Sequence, residues 1–77
     1  MPKWDWEKVV FLNGTDYEVR VNYEWDDKRL RTGCRILQMQ ADCELDGLRC
    51  AVHPKSAEYA AIKREVARII EDHFHER

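Results

Sequence analysis

The clearest pattern in the chain is the alternation of apolar and polar residues from position 17 to position 25. The odd positions carry aromatic or β-branched side chains, namely Tyr17, Val19, Val21, Tyr23 and Trp25. The even positions between them are polar. Successive side chains of a strand point to opposite faces, so this segment predicts a half-buried strand of an antiparallel sheet.

Two dipeptides, Asn13-Gly14 and Asp46-Gly47, predict tight hairpin turns, because they supply the positive φ angles that such turns require. The first turn joins the run from about Trp6 to Leu12 to the strand described above. The second turn joins a third strand to a short fourth one, 48–52. The turn signals therefore predict four strands connected in chain order.

The facing of the first strand is ambiguous, because Val9, Val10 and Phe11 are all apolar. A strict two-residue turn would place Val10 opposite Tyr17 and leave Val9 and Phe11 outside. A three-residue loop would place Val9 and Phe11 beside Tyr17 and Val19 instead. The second arrangement buries more apolar area, so we expect Val9 and Phe11 to face the core.

The third strand has two phases. Apolar residues alternate with polar ones from Leu37 to Leu45, whereas the apolar positions of segment 30–36 have the opposite parity. The change of phase predicts a β-bulge or a bend at Ile36-Leu37, which Gly33 would ease. Beyond the second turn, Glu44 is expected opposite Arg49 as an opposite-charge pair.

From Lys55 onward the apolar period changes from two to about 3.6, which predicts an amphipathic helix to about His75 that begins near Pro54 or Ser56. The predicted fold class is α+β: a four-stranded antiparallel meander sheet (ββββα), order 1-2-3-4, with one C-terminal helix on one face, and residues 1–77 forming one small domain. The predicted core consists of Tyr17, Val19, Val21, Tyr23, Leu37, Met39, Ala41, Cys43, Leu45, Cys50, Val52, Tyr59, Ile62, Val66, Ile69, Ile70 and Phe74.

The composition of the chain argues against several classes of protein. The net charge of −2 excludes the general basic field of a nonspecific nucleic-acid binder. No apolar run approaches the ~20 residues that span a bilayer, and the N-terminal region has no apolar core of a secretory signal, so no membrane partner is expected. Three cysteines do not suit a closed disulfide framework. We therefore expect a reducing, cytoplasmic location.

Cysteine and histidine give a weak metal signal. Cys50 and His53 have a C-x-x-H spacing, and Cys43 is expected opposite Cys50, but the paired knuckles of zinc sites are missing. The pattern favours small, packed cysteines, with no metal site. His73 would be either an acid–base or pH-sensitive group or a packed residue near the negative helix end, and the second is favoured; His75 is expected in solvent.

Catalytic signals are also weak. The loop hydroxyls of Thr15, Thr32 and Ser56 have no histidine base at a recognisable spacing. Only three glycines are present, and none forms a phosphate-binding loop. A chain this small has little room for a pocket in addition to its core. We therefore expect neither an enzyme nor a bound cofactor.

A basic segment supports one candidate function, nucleic-acid binding. Its cationic side chains, which could follow a phosphate backbone, are Lys28, Arg29, Arg31 and Arg35. Tyr23 and Trp25 could stack on bases if they were exposed, but the alternation assigns them to the core. Nearby acidic residues, including Asp26 and Asp27, would repel phosphate. This function is the alternative rather than the leading hypothesis.

The leading hypothesis is a small protein-binding module, an inhibitor or adaptor of the kind that a phage or mobile element could encode. It would use the polar, acid-leaning sheet face and the N-terminal edge against a larger protein. The candidate residues are Trp4, Trp6, Glu18, Glu24, Gln38, Gln40, Asp42 and Glu44. Trp4 and Trp6 are equally consistent with an exposed anchor or with a lid over the core. The edge of the first strand could also pair with a second copy.

Overall fold

The computed structural model describes residues 3–75, which form a four-stranded antiparallel sheet followed by one helix that packs on it. The strands lie side by side in chain order. Their bounds are β1 Trp6–Leu12, β2 Thr15–Asp27, β3 Thr32–Leu45 and β4 Leu48–Ala51, and the helix α1 is Ala57–His75. The predicted α+β fold, with its meander sheet and C-terminal helix, is confirmed.

The first turn has two residues, and it determines which side chains of β1 are buried. Asn13 and Gly14 have φ angles of 52° and 81°, as a type I′ turn requires. The turn places Val10 opposite Tyr17, and Val10 is 3% exposed. The prediction that Val9 and Phe11 face the core is wrong, since they are 63% and 68% exposed.

The predicted bulge in β3 is confirmed. Asn22 pairs with Gln38 and Tyr23 with Ile36, so Leu37 is the extra residue on the longer strand. Because the bulge shifts the register by one position, Ile36 takes the buried place on the helix side, at 8% exposure. Leu37 was expected in the core and is 58% exposed, so that prediction is wrong.

The second hairpin has the expected register, with Glu44 opposite Arg49 and Cys43 opposite Cys50. The predicted burial of Leu45 is wrong, because it is 58% exposed. The reason is the limited reach of the helix. The first turn of α1 reaches the sheet at the row of Cys43, and Leu45 lies two residues beyond that row.

The helix begins where Ser56 caps it. The Ser56 hydroxyl accepts a hydrogen bond from the Tyr59 amide at 3.1 Å, which satisfies one of the free amides of the first turn. The buried stripe of α1 consists of Ile62, Val66 and Ile70, each 0% exposed. The spacing of three to four residues places these side chains on one face of the helix. Within residues 3–75 no helix combines the length and apolar character that crossing a membrane requires.

The stripe packs against the helix side of the sheet to form the core. Most of the predicted inward positions are buried there or pack against its rim. The buried residues are Val10, Tyr17, Val19, Val21, Ile36, Met39, Ala41, Val52, Ile62, Val66 and Ile70. Tyr23, Cys43, Tyr59, Ile69 and Phe74 are partly buried against them, and Cys50 is also partly exposed.

Polar contacts fix the position of α1 along its length. Near its start, the Tyr17 hydroxyl donates a hydrogen bond to Glu58. The Tyr59 hydroxyl donates to the carbonyl of Met39 at 2.9 Å. Near its end, the Gly33 amide donates to the carboxylate of Glu71 at 2.9 Å. Because α1 is the one helix of the described chain and packs on one side of the sheet, no element of the described chain covers the other side.

Candidate protein-binding surface

The uncovered side of the sheet, called here the open face, carries the polar side chains that alternate with the core residues. They can be assigned from the strand registers, because directly opposed residues share a face. The open face consists of Glu7, Val9, Phe11, Asp16, Glu18, Arg20, Asn22, Glu24, Asp26, Arg35, Gln38, Gln40, Asp42, Glu44, Arg49 and Ala51. Its seven carboxylates outnumber its three arginines, so this face is acidic.

Each of the three arginines is paired with carboxylates of the same face. The pairs are Arg20–Glu7 at 3.5 Å, Arg49–Glu18 at 2.6 Å, Arg35–Asp26 at 2.5 Å and Arg35–Glu24 at 3.5 Å. Arg49 reaches diagonally across β3 rather than to Glu44, its opposite neighbour. All these pairs are solvent-exposed, so each contributes little to stability. Within residues 3–75, each guanidinium of this face is therefore engaged by other carboxylates, and none forms an ion pair with the remaining acids.

The acids that have no ion pair within residues 3–75 lie together at one end of the open face. They are Asp16 on β2 and Asp42 and Glu44 on β3. These three acids line a shallow cavity of about 480 Å³ together with Val9 and the paired side chains of Glu18 and Arg49, and it is called here the acidic depression. It is therefore a concave, negatively charged surface with an apolar border on the β1 side.

Val9 and Phe11 form that apolar border. They lie two residues apart on edge strand β1, and both are more than 60% exposed. Phe11 is directly opposite Asp16, and Val9 is opposite Glu18. Exposed aromatic and aliphatic side chains beside charged residues are typical of binding surfaces. Sequence reasoning missed this pair, although the Asn-Gly dipeptide was a signal for the two-residue turn that exposes it.

The two N-terminal tryptophans are half-buried, and Trp6 packs against the core. Asp5, which lies between them, fixes this segment to β2. Its amide donates to the Val21 carbonyl at 3.0 Å, and its carboxylate accepts a bond from the Tyr23 amide at 3.2 Å. Of the two arrangements considered from the sequence, Trp6 therefore has the one in which it covers the core, rather than the one in which it is an exposed anchor.

The other predicted binding residues divide into two groups. Gln38 and Gln40 are exposed in the middle of the open face. Glu24 is half-buried and lies toward the far end, where it pairs with Arg35. The structure therefore brings Glu18, Asp42 and Glu44 together at the acidic depression and does not bring Glu24 or the tryptophans there.

The basic segment is not one continuous cationic surface. The Asp27 carboxylate accepts the amides of Arg29 and Leu30 at 3.0 and 3.1 Å, which orders the loop between β2 and β3. The Arg31 guanidinium lies 4.9 Å from the centre of the Phe74 ring. Arg35 is held by carboxylates of the open face, and its ion pairs raise its pKa. Lys28 and Arg29 remain exposed on this loop, residues 28–31, which is called here the basic loop.

The aromatic residues of the nucleic-acid alternative are also engaged elsewhere. Trp25 is half-buried between two rings, with Tyr23 and Phe74 edge-on at 5.7 and 5.5 Å. Burial also raises the pKa of the Tyr23 hydroxyl. These rings pack on the helix side rather than presenting a flat face to solvent, so they do not form a base-stacking platform with the basic loop.

The cysteines and histidines are spread over the molecule. Cys43 and Cys50 are partly buried free thiols on opposed positions. His53 accepts the amide of Lys55, His73 is exposed with its ring edge-on to Phe74, and His75 contacts a backbone carbonyl of the basic loop. In the described part of the chain, no three of the His, Cys, Asp and Glu side chains form a group that could hold a metal ion.

Comparison with models of known protein families, with curated proteins and with solved structures found no match for this chain.

Proposed function

We propose that this protein is a small, non-enzymatic binding module that docks its open face on a larger protein, as an inhibitor or adaptor does. One observation carries the proposal: the exposed side chain of Val9 lines the acidic depression, and exposed Phe11 lies beside it, directly opposite Asp16. An apolar anchor beside unpaired charge provides both affinity and selectivity for a complementary surface.

The two kinds of side chain have different roles in such a contact. Complete burial of Val9 and Phe11 against a partner would contribute roughly 1.5–3 kcal/mol each. The carboxylates of Asp16, Asp42 and Glu44 would accelerate association with a basic surface and reject acidic ones. Because these acids have no ion pair within residues 3–75, no internal pair in that region has to break before they meet a partner.

The partner is accordingly a protein with a surface rich in lysine or arginine next to an apolar contact. A groove that binds nucleic acid has this chemistry, and the open face would then compete with the phosphate backbone for it. Such competition requires no catalytic group on the binding module.

The experiment is a tagged pull-down from nuclease-treated lysate of the native host, followed by calorimetry with the partner recovered. The test variant is D42N/E44Q, which removes two charges from the acidic depression. The matched control is E65Q/D72N, which removes two charges from α1, on the other side of the sheet. We expect the test variant to bind at least tenfold more weakly than the control, with both folded by circular dichroism.

Two outcomes would contradict the proposal. One is equal affinity of the two variants for the partner. The other is recovery of material only when nuclease is omitted, with binding that weakens steeply as salt increases, because that result would favour the exposed cations of the basic loop and a nucleic-acid ligand instead.

A further inference from the structure

Strand β1 is an edge of the sheet, and its outer side has backbone groups that no strand of the described chain pairs with. The type I′ turn makes Leu12 and Thr15 a hydrogen-bonded pair. Hydrogen bonding to β2 then alternates along β1, so the amides and carbonyls of Glu7, Val9 and Phe11 point outward. These are the groups to which another strand would bind.

This edge has few of the features that protect edge strands. It is seven residues long, contains no proline and has no bulge. Two of its three outward-bonding residues, Val9 and Phe11, also carry exposed apolar side chains. Lys8 is the one protective feature of this strand, because a lysine on an edge strand disfavours pairing with a second strand in some registers. It therefore restricts the registers in which β1 can pair.

We propose that β1 pairs antiparallel with β1 of a second copy of this chain, across a twofold axis through Val10, so that the two sheets become one sheet of eight strands. In this register Val9 of each copy lies directly opposite Phe11 of the other. Aromatic and β-branched side chains are a favourable cross-strand combination. Four backbone hydrogen bonds form between the outward groups of Val9 and Phe11.

The charges of β1 select this register over its neighbours. A twofold axis through Lys8 would place the two lysines opposite each other, and directly opposed like charges are destabilising. An axis through Val9 would place the carboxylate of Glu7 beside Phe11 in both copies. With the axis at Val10, Lys8 lies opposite Leu12, and Glu7 lies opposite Asn13, so no like charges are directly opposed.

The helices leave room for this assembly. Helix α1 packs mainly on β3 and contacts edge strand β1 much less, so its axis lies no nearer to the β1 edge than β2 does. In the eight-stranded sheet the two copies of β2 are three strand spacings apart, which is about 14 Å. Packed helices need interaxial distances of about 8–10 Å, so the two helices fit side by side on the covered face.

The dimer is independent of the proposed function, although it would enlarge the surface that function uses. Side chains of a sheet face stay accessible when a strand is added at the edge. Val9 and Phe11 of both copies would therefore form one apolar strip on the open face, with an acidic depression on each side. The interface is small, so we expect a dissociation constant on the order of micromolar.

The test is the molar mass of the purified chain, measured by sedimentation equilibrium from low to high micromolar concentration without any partner. The monomer mass is 9.3 kDa, and we expect the mass to rise toward twice that value with concentration. A mass that stays at 9.3 kDa at all concentrations would overturn the inference, whatever the outcome of the pull-down.

A matched pair of charge variants tests the register. V9K/F11K would place introduced lysines opposite each other in two pairs, so we expect a monomer at every concentration. V9E/F11K would place an acid at position 9 opposite a lysine at position 11 of the other copy, so we expect the dimer to be retained. Both positions are exposed, so both variants should fold, which circular dichroism checks.

Each deviation from this result would overturn the proposal. If V9K/F11K still dimerised, the interface would lie elsewhere on the molecule. If V9E/F11K were monomeric like V9K/F11K, the axis would not pass through Val10, since an axis through Val9 places the two introduced acids opposite each other.

Discussion

The carboxylate of Asp26 occupies the space beside Gly33 that any side chain at position 33 would need. A β-carbon added there would lie 2.7 Å from the Asp26 Oδ2 atom. Arg35 holds Asp26 in this position through an ion pair of 2.5 Å. The Gly33 amide in turn donates to Glu71 of α1, so this contact fixes the corner at which the β2–β3 hairpin meets the helix.

We expect Gly33→Ala to lower the free energy of unfolding by about 2–4 kcal/mol. One part is the left-handed backbone, since Gly33 has a φ angle of 69° and this conformation costs other residues roughly 1–2 kcal/mol. The other part is the clash with Asp26. Gly47→Ala is the matched control, because Gly47 has a φ of 79° with nothing within 4 Å of an added β-carbon. Equal losses in urea denaturation would show that the clash costs nothing.

The hydrogen bond from Tyr17 to Glu58 should stabilise the docking of α1 on the sheet. Tyr17 is 4% exposed, and its hydrogen bond with Glu58 raises the pKa of the hydroxyl. Because a bond to a charged acceptor contributes about 1.5–3 kcal/mol, Tyr17→Phe should destabilise the fold by an amount in that range. A double-mutant cycle with Glu58→Gln measures the coupling between the two side chains. Additive losses would contradict a direct contribution of this bond.

The Cys34 thiol should be protected from alkylation in the folded protein. Burial, with a smaller contribution from the charge of Glu71, raises the pKa of Cys34 to about 11. At pH 8 this lowers the thiolate fraction roughly 100-fold, and the greater nucleophilicity of a high-pKa thiolate recovers part of the rate. We expect iodoacetamide to modify Cys34 about tenfold more slowly in the folded chain than in the urea-unfolded chain, measured by peptide mass spectrometry.

The raised pKa of Cys34 also determines the direction in which stability changes with pH. The folded state keeps the Cys34 thiol protonated to a higher pH than the unfolded state does. Its contribution to stability is therefore fully present below the thiol's ordinary pKa and is lost as the pH rises toward 11. Equal alkylation rates in the folded and unfolded chains would contradict both expectations.

Much of the fold follows from alternation and turn chemistry, because these signals are local. The period of two in β2 and the positive-φ dipeptides determine the strand order, and the change of phase at Leu37 locates the bulge. The facing of β1 could not be read from alternation, since Val9, Val10 and Phe11 are all apolar. The conformation of the two-residue turn determines which side chains of β1 face the core. This preference outweighs the larger buried area that the other register would have given.

The candidate site was less accessible to sequence reasoning, because it depends on distances between strands. The acids at Asp42 and Glu44 could be assigned to the polar face, but their lack of ion pairs within residues 3–75 depends on Arg49 reaching Glu18 instead. The exposure of Leu45 had a similar cause, since no periodicity shows where a covering helix begins in space. Such features follow from tertiary geometry alone.

The meander order has a consequence for the entropy of folding. Each strand pairs with its neighbour in sequence, so the three hairpins close only short loops, which is inexpensive. The contacts of α1 are different: Tyr17 and Glu58 are 41 residues apart, and Gly33 and Glu71 are 38 apart. The entropic cost of long-range closure is therefore concentrated in the contacts between the C-terminal helix and the sheet.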